Sequence, residues 1–254
     1  MTFDEHRLYF QKWCADKGVE RFLFDGDDTV WATVEIFRGF MDDCSEYLAT
    51  NAPVMTREQW RRGIQEVNDA LFEIHGVNPK RWEGVMDRLA LENGLPGVTR
   101  DGATEILMQI YQTPPRFLEG SEKGLQFVMD AGMPLGIVTH ANVAWTDRKY
   151  DWLGMSRFVD RKDVYIVDEN GHKTAKEWMR ATKYFGVLPE NCAVAGDSPR
   201  SDINPVRELG VRQRFLVRNG GEIWAVHNQP VDPETYVIAR LDDLIGLGEE
   251  HLKL

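Results

Sequence analysis

An apolar strand that runs straight into a cluster of acids constrains this chain more than any other feature. Phe22-Leu23-Phe24 leads into Asp25-Gly26-Asp27-Asp28-Thr29. Far downstream, Ala193-Val194-Ala195 leads into Gly196-Asp197-Ser198-Pro199-Arg200-Ser201-Asp202. Like charges gathered at the end of a buried strand are costly unless a cation, a shared proton or a reaction requires them. Two acid-tipped strands in one α/β chain point to a metal site that also carries a nucleophile.

The rest of the chain supplies the elements such a sheet needs. Residues 3–17 are expected as a helix, residues 19–24 as the first strand, and its unbroken apolar stretch suits a strand covered on both faces. Residues 36–50, 57–74, 79–92 and 101–113 form amphipathic helices, broken at Asn51-Ala52-Pro53, Gly76-Val77-Asn78-Pro79 and Gly94-Leu95-Pro96-Gly97. Thr56 and Thr99 are candidate N-caps. From Pro114 onward helices and strands alternate, with strands over 134–138, 164–167, 192–195, 214–217 and 236–238 and a last helix over 241–247. Alternation of this kind implies parallel βαβ units with right-handed crossovers. The expected fold is therefore a doubly wound parallel α/β sheet with an all-helical insertion after the first strand. Residues 1–33 and 114–254 would form the α/β core, residues 34–113 the insertion, with hinges around Thr33 and Pro114-Pro115.

Composition narrows the partners. A formal charge of −11 argues against nucleic acid and anionic membrane surfaces. No apolar run has the length of a transmembrane helix, and the first twenty residues are polar and acidic, unlike a signal peptide. Cys14, Cys44 and Cys192 are scattered and lack metal spacing, so they are expected as reduced core thiols of a cytoplasmic protein. A few local basic residues could still line a pocket for an anionic small molecule. The Trp residues, Trp60, Trp82 and Trp152 among them, are expected in packing roles.

In a doubly wound sheet the ligand sits at the carboxyl ends of the strands. Three expected strand ends carry chemistry: Asp25–Thr29, Thr139-His140 and Gly196-Asp197. A carboxylate positioned beside a divalent cation can attack phosphorus, and Asp25 would be that nucleophile. Asp27 would protonate the leaving oxygen and then activate water. Asp197 would complete a hard, all-oxygen metal site that favours Mg²⁺. Thr139 and the amides around it would hold phosphoryl oxygens, and Lys173 would neutralise charge on the phosphoryl group and on Asp25. Lys176 is a rival for that lysine. His140 is either a polar residue of the rim or a contact to phosphate, and Asp202 is a candidate N-cap of the helix that follows it, which is compatible with a further role at the site. Asp28 is expected to organise its loop by hydrogen bonding.

The order Asp-x-Asp-x-Thr, apolar strand–Thr, Lys, then Gly-Asp-Ser-x-x-x-Asp resembles the haloacid dehalogenase superfamily of phosphohydrolases. The resemblance covers residues 21–33 and 113–247, and residues 34–113 resemble that family's helical cap. It implies Asp25 as nucleophile and Asp27 as general acid/base. It also implies Mg²⁺ on Asp25, the Asp27 main-chain carbonyl and Asp197, with Asp202 outside them. Members that remove halide from carbon lack the second acid, so Asp27 favours phosphate chemistry. The sequence departs from the commonest pattern at Asp28 (usually Gly), Thr174 (usually Pro) and His140 (often Asn). The implied activity is a Mg²⁺-dependent phosphomonoesterase. A phosphomutase, or a non-catalytic protein that kept the metal and phosphate pocket, is the alternative.

Overall fold

A computed structural model describes residues 2–218 and 229–247. Six parallel strands form one sheet in the order β5-β4-β1-β6-β7-β8, where β1 is Arg21–Phe24, β4 Leu135–His140, β5 Val164–Val167, β6 Cys192–Gly196, β7 Gln213–Val217 and β8 Tyr236–Ile238. The register pairs Phe24 with both Ile137 of β4 and Ala195 of β6. This lays the end of β1 between the ends of its two neighbours. The inner strands are largely apolar because both faces are covered.

Side chains alternate between those faces with a period of two. Phe22, Phe24, Ile137, Ala193 and Ala195 pack with Phe10 and Cys14 of α1 (Phe3–Lys17) and Phe127 of α6 (Ser121–Asp130). On the other face, Leu23, Val138, Cys192 and Val194 pack with Trp178 of α8 (Ala175–Tyr184) and Val206 of α9 (Asn204–Glu208). The three cysteines are buried free thiols, and burial pushes each pKa up to about 12.

Between β2 (Trp31–Ala32) and β3 (Arg116–Phe117) lie α2 (Val34–Asn51), α3 (Arg57–His75), α4 (Arg81–Asn93), α5 (Gly97–Met108) and a 3₁₀ turn at Gln109–Gln112. Met41, Leu48, Trp60, Ile64, Trp82 and Leu107 form their own apolar cluster. That cluster reaches Trp145 of α7 (Val143–Trp152), whose ring meets Phe37 at 5.9 Å and Tyr111 at 4.9 Å. The loop after α3 also docks on the core. Val77 N–H donates to the Glu169 carbonyl at 2.8 Å, and Arg200 pairs with Glu73 at 2.5 Å.

Several local expectations are corrected. β2 and β3 pair antiparallel, so the two passages expected as hinges are tied to each other. Strands of two residues carry no periodic signal, which hid them. α5 begins at Gly97 with Pro96 at its cap position, so Thr99 lies inside the helix, whereas Thr56 does cap α3 through Gln59. The last helix is 3₁₀, Leu241–Gly246. Trp60 and Trp82 are fully buried, but Trp152 is 41% exposed.

Phe22 stacks between Phe10 at 5.4 Å and Phe24 at 6.1 Å beneath the acid-tipped strand end. Phe22→Ala is expected to cost about 3–5 kcal/mol of stability. The check is the urea midpoint, and a loss below about 1 kcal/mol would contradict the packing account.

Candidate active site

The end of β1 is rigid because its backbone is locked on both sides. Asp25 N–H donates to the Ala195 carbonyl at 2.9 Å. The chain then turns so sharply that Val30 and Trp31 N–H both donate to the Gly26 carbonyl. A Cβ on Gly26 would lie 2.3 Å from the Trp31 ring. Asp28 is the one non-glycine among the described residues with a left-handed backbone, φ 58°. That conformation explains why glycine is common there. Here the strain is offset by the side chain: Asp28 Oδ1 accepts from Thr33 N at 2.9 Å and Val34 N at 2.8 Å, and Oδ2 accepts from Thr33 Oγ1 at 2.9 Å. Thr33 makes no side-chain cap, so Asp28 caps α2 in its place and sets the entry into the helical insertion.

Asp25, Asp197 and Asp202 converge, each buried, with oxygens that all lie within 4.8 Å of one another. Lys173 lies among them. Its Nζ donates to Asp25 Oδ1 at 2.6 Å and to Asp202 Oδ1 at 2.5 Å, and it sits 4.8 Å from the Trp178 ring centroid. Lys176 is on an exposed face of α8. Asp202 does not cap the following helix. Ser198 Oγ accepts from Ser201 N at 3.2 Å, while Asp202 Oδ2 accepts from Ser198 N at 3.1 Å. Gly196 allows this closeness, because a Cβ there would meet Asp202 Cβ at 2.4 Å.

The electrostatics follow from burial. Desolvation pushes Asp25 up to about 7; Lys173 opposes the shift, while Asp202 and Asp27 add to it. Asp197 is held well above the carboxylate range by burial and then by the charges of Asp25, Asp202 and Asp28. Burial works against the charge on Lys173, yet Asp202 and Asp25 outweigh it and hold its pKa above the usual value. Such a cluster of hard oxygen donors under mutual repulsion, with no sulfur or nitrogen ligand among them, fits a divalent cation of the Mg²⁺ type.

Thr139 and His140 end β4 beside this cluster. Thr139 is fully buried and its Oγ1 makes no hydrogen bond, and His140 Nε2 is likewise buried without a partner. Burial, then the positive charges of Lys173, His172 and Arg81, brings His140 down to about 3, so its ring is neutral near pH 7. A buried polar atom without a partner is costly. In a pocket it marks where a ligand oxygen or proton belongs.

Asp27 is held by residues that the sequence did not single out. Its Oδ1 accepts from Trp31 Nε1 at 2.6 Å and from Lys149 Nζ at 2.5 Å. Lys149 is fully buried on α7, 3.9 Å from the Trp145 ring centroid. No local pattern marks it. A lone lysine in a helix ordinarily faces solvent, and its partner lies 122 residues earlier.

A doubly wound parallel sheet with an acid cluster at its strand ends and helices inserted after the first strand defines the chain as a Rossmann-like α/β protein with its candidate site at the carboxyl ends of the strands. The model of the haloacid dehalogenase-like hydrolases matches residues 19–210, and the chain belongs to that family. A search of curated proteins finds no significant match. Among solved structures, a haloacid dehalogenase-like hydrolase from Xanthomonas campestris superposes with a TM-score of 0.71 at 17% identity, covering 90% of both chains. A 2-haloacid dehalogenase from Pseudomonas syringae pv. Tomato does so with 0.59 at 17%, covering 90% of this chain and 97% of that one. A phosphatase of the family from Thermococcus onnurineus gives 0.58 at 18%, covering 89% and 96%. At these identities the likeness is one of fold. No described helix is long and apolar enough to cross a membrane.

The raised carboxylates set the sign of a pH effect. Asp25 in the folded chain titrates about 7, above its unfolded value near 4, so the ion-free protein loses stability as pH rises through that window. A divalent cation needs the charged form. Its thermal stabilisation is expected to be full above about pH 8 and to fade as pH falls towards about 5, reaching about 2.7 kcal/mol at ~100 Kd of free ion. An equal rise in Tm at both pH values would contradict the assignment.

Proposed function

We propose that this hydrolase is a Mg²⁺-dependent phosphomonoesterase that works on a small phosphorylated metabolite through an aspartyl phosphate on Asp25. The observation that carries the reading is the second acid: Asp27 stands two residues from Asp25, its Oδ1 clasped by Lys149 and Trp31. Oδ2 has no hydrogen-bond partner among the described residues. A carboxyl fixed through one oxygen presents the other in a set direction, as a proton carrier requires. Removal of halide from carbon has no alcohol leaving group to protonate.

Asp25, the Asp27 carbonyl and Asp197 would hold Mg²⁺, with Asp202 supporting from Lys173 and Ser198. Bound there, the ion supplies positive charge against the phosphoryl oxygens and the attacking carboxylate. Lys173 adds a second positive charge and orients Asp25 through Oδ1. The Asp25 carboxylate attacks phosphorus as the bond to the leaving oxygen breaks, and Asp27 delivers its proton to that oxygen. Asp27, now a carboxylate, takes a proton from water as the water attacks phosphorus and the Asp25–phosphorus bond breaks. His140 Nε2, buried without a partner, lines the same cavity as Asp25 and Lys173, and Thr139 Oγ1 is likewise unpaired on the preceding residue. The helical insertion, docked through Glu73–Arg200, limits access of bulk water.

Phosphate release from a panel of small phosphomonoesters tests this. Activity is expected to require Mg²⁺, to vanish in Asp25→Asn, and to fall ~10²–10⁴-fold in Asp27→Asn. Full activity in Asp25→Asn would overturn the assignment. Lys149→Met separates positioning from mere packing. Its kcat is expected to drop about tenfold or more on an alkyl phosphate, whose leaving group needs a proton, and far less on nitrophenyl phosphate, whose leaving group does not. Equal losses on both esters would reduce Lys149 to a structural role.

A further inference from the structure

We infer that the helical wall of the cavity carries a second anion site, centred on Arg81, which takes a carboxylate on the leaving alcohol of the substrate. The inference rests on the phosphatase reading above and names the class of its substrate: a phosphorylated hydroxy acid.

Arg81 opens α4, is 5% exposed, and lines the same cavity as Asp25, Asp27 and Lys173. Among the described residues no carboxylate lies within ion-pair distance of its guanidinium. Its one hydrogen bond is from Nη1 to the Gly76 carbonyl, and Nε is buried without a partner. Phe72 and Trp82 lie 5.5 and 5.4 Å from it, close enough to interact with the cation but not to neutralise it. An unpaired buried guanidinium is costly, and a polar group left bare in a pocket wall acquires its partner from a ligand. Burial draws the pKa of Arg81 below its ordinary value.

The nearby acids form no ion pair with Arg81, although the charge of Asp69 acts on it from a distance. Asp69 Oδ1 accepts from Gln65 Nε2 at 2.8 Å and Asn68 Nδ2 at 3.2 Å, and Glu73 pairs with Arg200. With Nη1 occupied, the Nε–Nη2 edge remains, and that edge matches a carboxylate in two parallel hydrogen bonds. A second phosphate would bring close to two charges against one cation, with Asp69 and Glu73 in the same wall. Asn68 Oδ1 and Trp145 Nε1, also buried, unpaired and lining the cavity, can take the polar groups of a short chain between the two anions.

The test compares a short series of ω-phosphooxy carboxylic acids with n-alkyl phosphates of the same length, with Mg²⁺, on wild type, Arg81→Met and Arg81→Lys. Titration calorimetry on Asp25→Asn reads binding of the same pairs. At least one acid is expected to exceed its alkyl partner about tenfold or more in kcat/KM. That ratio should fall to about one in Arg81→Met and lie between in Arg81→Lys, which keeps the charge and loses the fork. Because the ratio is internal to each variant, partial misfolding does not mimic the result. A ratio near one in wild type, or one unchanged in Arg81→Met, overturns the inference. If neither class is hydrolysed but Asp25→Asn binds the acids more tightly, the phosphatase reading fails and the anion site stands. If it binds both classes equally, the anion site fails too.

Discussion

One ammonium between two buried carboxylates holds the rim of this sheet together. Lys173 reaches Asp25 at 2.6 Å and Asp202 at 2.5 Å from a loop that precedes α8. Without that positive charge, Asp25, Asp197 and Asp202 would concentrate like charges where water cannot screen them. The cluster remains short of neutral even with Lys173 in place, as the raised pKa values of Asp25 and Asp197 show. A site that is pre-strained in this way binds a divalent cation at little further cost in organisation. The same repulsion that disfavours folding without the ion becomes affinity for it.

The second acid is treated in the opposite manner. Asp27 is half-buried and receives two donors on one oxygen, from an indole and from a fully buried lysine. The lysine in turn lies against Trp145, which belongs to the apolar cluster of the helical insertion. Packing of the insertion and placement of the Asp27 carboxyl are therefore physically linked. Asp28 adds a second link, since it absorbs a left-handed backbone turn and caps α2 with the same side chain. The proposed roles of attack and proton transfer, and the launch of the helical insertion, thus fall within four residues of one strand end.

The wall opposite the acids divides its labour with them. The core side of the cavity carries Lys173, His140 and the acids, whereas the insertion supplies aromatic surface and Arg81. Docking of the loop after α3 on residues 168–172 brings that wall over the site, through Val77–Glu169 and Asn78–Asn170. Gly76 permits the approach, because a Cβ there would meet the Glu169 carbonyl at 2.4 Å.

The sequence by itself determined the α/β class, the helical insertion and the acid-bearing strand ends. Those features are written in local pattern: apolar runs fit strands covered on both faces, turn residues separate the helices, and Asp-x-Asp and Gly-Asp follow strands without a gap. Lys173 was also legible, because counting forward to Gly186 and Cys192 favours it over Lys176. Only the tertiary structure decided the partners. Lys149 meets Asp27 across 122 residues, Arg81 lies against Phe72 and Trp82 with no ion pair, and β2 pairs with β3 across the whole insertion. Each depends on which faces meet once the chain has folded. A lysine or arginine on an amphipathic helix looks the same in sequence whether it faces solvent or a buried acid, and two-residue strands are too short to show a period.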